Sequence, residues 1–315
     1  MDFLTNLDGT GHSNRNGFRL PFFEGVNLRA TFNLLNSSTM VAFSGALRVY
    51  IAFLLLGVDV SLLSCLAGGL VVYTVYTLDR ALDCEEDSVN RSDLCGARRD
   101  IALLVSMIAF FIGTYILFRQ GLYFVSFIPF VIGFLYSKGL KVGNFNLKLK
   151  GGLGMKNIVV GLTWGGFITG VVSGSINSAI PLLFIFIFFG FKLFINSAIY
   201  DFKDIKGDAL AGIKTLPVSF GEKRTRYLLL GMHTISHIGL MAAVMNGFLA
   251  FEPVILLYSF IAGVICILFY TIPQESETKD KKMARTFLVD GESTSIVGLK
   301  AAMAPVLSCL HLLPF

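Results

Sequence analysis

Long apolar stretches recur along the chain, each near the twenty residues that cross a bilayer as a helix, with polar segments between them. These windows predict nine spans at about 34–57, 60–82, 100–118, 121–137, 157–174, 177–200, 226–247, 249–272 and 294–313. Four connections are short: "GVDVS", "RQGL", "SGSIN" and "NGFLAFE". Four are long and polar: 83–99, 138–156, 201–225 and 273–293. The expected fold class is therefore all-α, a polytopic bundle in which residues 34–315 form one transmembrane unit. Residues 1–33 are expected to be a tail. There "FRLPFFEGVNLRATF" mixes aromatics with Arg, as a segment lying on the cytoplasmic surface does, though a disordered tail fits equally. It contains no short apolar core followed by a small-residue cleavage site, so it does not read as a signal peptide.

Composition agrees with this pattern. Hydrophobic residues make up 54% of the 315 and charged residues only 15%, against about a quarter in soluble domains. That balance excludes an ordinary soluble domain, and no feature suggests a nucleic-acid partner; the bilayer is the expected surrounding. Cys65, Cys266 and Cys309 lie in apolar runs and read as small core residues, with neither a disulfide framework nor a zinc site suggested.

Charge adds orientation. The tail and the long loops, with Arg226 at the edge of the third, carry 21 of the 26 Lys and Arg residues, and the short loops carry one, Arg119. By the positive-inside rule the N-terminus and every long loop are cytoplasmic, and the C-terminus is external.

Candidate chemistry stands at the ends of two spans. "LDRALDCEED" closes the second and holds Asp79, Asp83 and Asp87, four residues apart. "YDFKDIKGD" closes the sixth and holds Asp201, Asp204 and Asp208. At helical spacing each set shares one face. Both spans run outward to inward, so both sets are expected at the cytoplasmic end, where the helix dipole already disfavours negative charge. A single such set reads as a solvated face. Two on one side of the membrane need a cation to relieve their repulsion. Carboxylates without His or Cys suit a hard ion such as Mg²⁺, which binds through carboxylates and substrate phosphates. Arg91, Lys138, Lys141, Lys203, Lys206 and Lys214 stand nearby to take further phosphate charge.

On these residues the chain resembles the UbiA superfamily of intramembrane prenyltransferases. "DRALDCEED" is similar to the family's NDxxDxxxD, with Asp83 and Asp87 matching its aspartates, Asp79 in place of Asn and Arg80 in place of the next Asp. Asp201, Asp204 and Asp208 match DxxDxxGD, followed by "AGIKTLPVSFG". "YSKGLK" resembles YSxxLK, and "KNIVVGLTWG" resembles the opening of the fifth helix. Where ether-lipid-forming archaeal relatives carry an Arg-Glu pair before the second motif, this chain has Asn196 and Ser197, which points away from glyceryl-phosphate prenylation.

The resemblance implies a nine-helix bundle and two Mg²⁺ ions on Asp79, Asp83, Asp87, Asp201, Asp204 and Asp208. It implies an isoprenoid diphosphate beside Arg91, Lys138, Lys141 and Lys214, and a lipid or aromatic acceptor that receives the prenyl group. Asp83 and Asp204 would act in catalysis through metal, and Tyr136 would stand near the reacting carbon. A membrane terpene cyclase, which ionises the same substrate without an acceptor, is the alternative. A cation-coupled transporter is a more distant one, because carboxylates within bundles also bind ions.

Charged residues inside spans are costly and commonly functional. Arg48, Lys192 and Lys300 are of this kind. Lys192, Asn196, Tyr200, Asp204 and Asp208 follow at steps of four, which predicts one continuous face running from Lys192, as a contact for a polar head or acceptor, to the metal site. Asp290, Glu292, Ser293 and Thr294 are expected to cap the last helix.

Overall fold

In the computed structural model, residues 28–82, 97–137, 140–142, 145–147, 154–210, 212–272 and 279–309 are described. Thirteen α-helices and one hairpin follow in order. They are α1 (Leu28–Asn36), α2 (Thr39–Leu56), α3 (Leu62–Leu82), α4 (Arg99–Arg119) and α5 (Phe127–Ser137); the hairpin β1 (Leu140–Val142) and β2 (Phe145–Leu147); then α6 (Met155–Val172), α7 (Ala179–Asp201), α8 (Ile205–Leu210) and α9 (Leu216–Phe220). The rest are α10 (Glu222–Met245), α11 (Pro253–Tyr270), α12 (Lys279–Arg285) and α13 (Glu292–Cys309), with a π-turn at Thr286–Asp290 before α13. The antiparallel hairpin, with Lys141 opposite Asn146, is the departure from an all-helical chain among the described residues.

Among the described residues, seven segments are long and apolar enough to cross a membrane: Leu28–Leu56, Leu62–Leu82, Arg99–Arg119, Met155–Ser175, Ala179–Asp201, Glu222–Met245 and Pro253–Tyr270. The fourth and ninth expected spans are also helical but differ in kind. Turns occupy 123–126, so α5 has only 11 residues, about 16 Å of rise against a hydrocarbon core of about 30 Å. The last helix carries Glu292, Lys300 and Pro305 within its 18 residues. Helix begins at Leu28, ahead of the boundary expected at 34, because α1 packs its buried Ala30, Thr31 and Leu34 on the neighbouring helices.

Glycine sets the closest packing. A Cβ at Gly165 would lie 2.8 Å from the Gly190 Cα, and one at Gly161 would lie 2.7 Å from the Gly190 carbonyl oxygen. Backbone, not a movable side chain, fills that space, so α6 and α7 touch along their main chains as small-residue membrane helices do. The antiparallel pair brings the start of α6 beside the end of α7. The main buried core, with Phe53, Leu55, Phe167 and Ile185, fills the bundle between α2, α3, α6 and α7. Cys65 and Cys266 are buried free thiols.

Candidate active site

The second acidic motif does not continue α7. The helix ends at Asp201, the amides of Phe202, Lys203 and Asp204 bond back three residues, and α8 starts at Ile205. The single helical face expected for Asp201, Asp204 and Asp208 is therefore folded over at a tight turn. Asp201 is turned inward and only 2% exposed, whereas Asp204 stands in solvent. The Asp208 amide bonds the Asp204 carbonyl at 2.8 Å, which keeps these two within one turn of each other.

Both Asp201 oxygens are engaged by α6. Lys156 Nζ donates to Oδ1 at 2.9 Å, and Asn157 Nδ2 donates to Oδ2 at 2.8 Å. Ser197 of α7 donates its hydroxyl hydrogen to Asn157 Oδ1 at 2.6 Å, which fixes the amide with its NH₂ toward Asp201. Sequence reasoning did not single out Lys156 or Asn157. The available signal was a Lys-Asn pair opening a span next to an acidic helix end.

Burial, followed by the charges of Asp204 and Asp201, pushes the Asp208 carboxyl above the ordinary carboxylate range, while Lys156 works against this. The turn thus concentrates carboxylates within a few residues, and the donors it offers are oxygen only. A hard divalent cation fits Asp204 and Asp208 on both grounds.

Of the first motif, Asp79 lies half-buried in the last turn of α3. Arg80 beside it donates to Ser37 Oγ at 3.1 Å and Ser38 Oγ at 2.6 Å, tying α3 to the junction of α1 and α2. Asp83, Asp87, Arg91 and Lys138 lie outside the described residues, and Lys141 is described only in its backbone, on β1. Among the described residues, no three His, Cys, Asp or Glu side chains converge on one point. Tyr136, near the end of α5, is within electrostatic reach of Lys156, the residue that bonds Asp201. Lys214 is exposed in the turn after α8.

The face of Lys192, Asn196 and Tyr200 exists on α7, but it docks on the chain before and at the start of α13. Lys192 Nζ pairs with Glu292 Oε1 at 2.5 Å, Asn196 Nδ2 donates to the Val289 carbonyl at 3.0 Å, and the Tyr200 hydroxyl donates to Asp290 Oδ2 at 2.6 Å. Lys192 also meets Ser259, whose oxygen is shared with His237. The small cavity that remains there is lined by Lys192, Asn196, His233 and Glu292. Asp290 and Glu292 are therefore not caps, because buried cations and a tyrosine on other helices claim their carboxylates. Lys300 is paired in the same way, with Glu252.

A family model described as the UbiA prenyltransferase family matches residues 60–289. The chain belongs to this family. As a UbiA-family member it is a prenyltransferase, and with seven apolar helices it is a multi-pass membrane protein. The digeranylgeranylglyceryl phosphate synthase of Sulfolobus acidocaldarius is 31% identical over 241 residues, covering 71% of this chain and 78% of that protein. A UbiA homologue from Archaeoglobus fulgidus, solved bound to DMAPP and Mg²⁺, superposes with a TM-score of 0.56 at 16% identity, over 85% of this chain and 99% of that one. The apo UbiA homologue from Aeropyrum pernix K1 gives 0.56 at 15% identity, over 84% and 98%. At such identities the two structures bear on the fold, which is UbiA-like.

Proposed function

We propose that this UbiA-family enzyme transfers a prenyl group from an isoprenoid diphosphate to an acceptor at the cytoplasmic membrane boundary. The observation that carries this reading is the acidic turn at the end of α7, with Asp204 exposed beside Lys203 and Asp208 held above its ordinary range by burial and by the neighbouring carboxylates. Asp204 and Asp208, with Asp83, Asp87 and Asp79 of the first motif, would hold Mg²⁺, two ions in all. The metal supplies positive charge against the leaving diphosphate. Asp201 is assigned a supporting part: bonded by Lys156 and Asn157, it anchors the turn that presents Asp204 and Asp208.

The remaining steps fall to the chain. Arg91, Lys138, Lys141 and Lys214 take the diphosphate oxygens as the allylic C–O bond breaks. Tyr136 offers its ring face to the resulting cation. The apolar bundle excludes water until an acceptor oxygen or carbon bonds the cation and loses its proton. We assign nine spans, with the segment around α5 and the last helix completing the seven, and a cytoplasmic active site on the charge asymmetry of the loops. That Archaeoglobus fulgidus homologue was solved with DMAPP and Mg²⁺, and the Sulfolobus relative is named for a glyceryl phosphate product; both support the donor and a lipid acceptor.

The test is purified enzyme with geranylgeranyl diphosphate and Mg²⁺, with and without acceptors. Transfer predicts little product until an acceptor is added. Rapid formation of a cyclic hydrocarbon or cyclic alcohol without acceptor would replace this reading with a terpene cyclase.

A further inference from the structure

The backbone joins the acidic turn to α7 by long bonds. The amides of Phe202, Lys203 and Asp204 reach the carbonyls of Ile199, Tyr200 and Asp201 at 3.3, 3.3 and 3.2 Å, at or beyond the upper end of the ordinary range. Past the turn the bonds shorten. The Asp208 amide meets the Asp204 carbonyl at 2.8 Å, and the Ile213 amide meets the Asp208 carbonyl at 2.8 Å. Asp204 and Asp208 are thus firmly tied to each other and loosely tied to the helix before them. Where that pair points is set by the side chains that hold the end of α7.

Asp201 is held there by α6. Tyr200, the residue before it, is held by a different part of the chain. Its hydroxyl donates to Asp290 Oδ2 at 2.6 Å, a length typical of a bond to an ionised carboxylate, roughly twice as strong as a neutral one. The buried Arg285 guanidinium lies 4.9 Å from the Tyr200 ring centroid, within cation–π range. Asp290 is itself fixed. It closes the π-turn, in which the Gly291 amide returns to the Thr286 carbonyl at 3.1 Å; such wide turns are rare and recur at functional sites. Arg48 of α2 donates to the Asp290 carbonyl at 3.2 Å, and on either side Asn196 holds the Val289 carbonyl and Lys192 holds Glu292.

We propose that Tyr200 and Asp290 are positioning residues for the metal: their hydrogen bond fixes the last turn of α7, so that Asp204 and Asp208 are aimed together at the ion. This rests on the metal assignment of the prenyl-transfer reading. Successive helical residues point about 100° apart, so Tyr200 and Asp201 hold the helix end from two directions. A helix end held by one of them alone can pivot about that contact and carry the loosely joined aspartates with it. The second hold comes from a segment 90 residues later in the sequence, on the far side of two membrane helices.

Metal binding tests this without turnover. The full chain in lipid nanodiscs is titrated with Mn²⁺, with and without inorganic diphosphate, and bound ion is read by electron paramagnetic resonance. Tyr200→Phe keeps the ring beside Arg285 and removes only the hydroxyl. It should weaken Mn²⁺ binding roughly three- to tenfold. Asp290→Leu, of similar shape but without an acceptor, should do the same, and the double variant should lose no more than either alone. Asp290→Asn keeps an oxygen for the Tyr200 hydroxyl and should retain most of the affinity. Ser64→Ala removes a buried hydroxyl bonded to Gln120 at the start of α3. It should lower the melting temperature and leave Mn²⁺ binding as it was, which separates positioning from stability. Unaltered binding in Tyr200→Phe overturns the proposal, as do additive losses in the double variant and an equal loss in Ser64→Ala. A larger loss in Asp290→Asn than in Tyr200→Phe also overturns it, because Asp290 would then act on the metal by its own charge. If Asp290→Leu fails to fold, Tyr200→Phe and Asp290→Asn still decide the question. Absence of Mn²⁺ binding by the unmodified chain under both conditions would overturn the proposed function and this inference with it, whereas binding that Tyr200→Phe leaves intact overturns the inference alone.

Discussion

Lys156 and Asp201 meet across the closely packed α6–α7 pair, Nζ to Oδ1 at 2.9 Å, while the neighbouring Asn157 donates to the other carboxylate oxygen at 2.8 Å. Asp201 is therefore held from one side by two adjacent residues of α6. Breaking the buried arrangement by Asn157→Ala leaves one oxygen without its donor and should cost about 1–3 kcal/mol. Asp201→Asn keeps the shape and part of the hydrogen bonding. It should lower activity without abolishing it, unlike Asp208→Asn. Thermal unfolding in detergent, with turnover measured beside it, checks both. Complete loss of turnover with unchanged stability in Asp201→Asn would make Asp201 a metal ligand instead of an anchor.

Metal dependence gives a second expectation. Asp83→Asn and Asp208→Asn should each abolish diphosphate release while leaving the fold intact, because each removes a charged ligand. Chelation should stop the reaction and added Mg²⁺ should restore it. Asp79→Asn, which places Asn where the family has it, should retain activity. Diphosphate release that survives chelation would contradict the site.

The approach of α6 to α7 is testable by volume. Gly165→Ala places a methyl 2.8 Å from the Gly190 Cα and 2.9 Å from its nitrogen, where only backbone can give way. A loss of about 1–3 kcal/mol is expected, with activity falling as Asn157 and Asp201 shift apart. At Gly166 the nearest atom is in the Phe186 ring at 3.8 Å, so Gly166→Ala should be tolerated. Equal melting temperatures for the two variants would show that the contact is not tight.

Orientation follows from the loops. In a cysteine-free background, Ser175→Cys should react with an impermeant thiol reagent added to sealed cells, and Val89→Cys should react only after permeabilisation. Labelling of Val89→Cys from outside would reverse the topology.

The sequence by itself determined the membrane class, the helical architecture and the two acidic motifs, for a plain physical reason. Crossing lipid demands long apolar runs whatever their neighbours are, and a run such as Ala179–Asp201 announces itself without reference to any partner. Clustered aspartates beside such runs are equally conspicuous, because their repulsion must be answered somewhere. Only the tertiary structure decided what the polar residues within the helices do. Spacing placed Lys192, Asn196 and Tyr200 on one face, but could not say that this face would be met by Glu292, Val289 and Asp290, about ninety to a hundred residues later. It carried Asp201, Asp204 and Asp208 along one helix, whereas the backbone turns after Asp201 and sends that carboxylate inward to Lys156 and Asn157. Periodicity is a local property of the backbone. The pairing of buried charges depends on which helices pack together, and here that was set by glycines on α6 and α7, whose absent side chains let Asn157 reach Asp201.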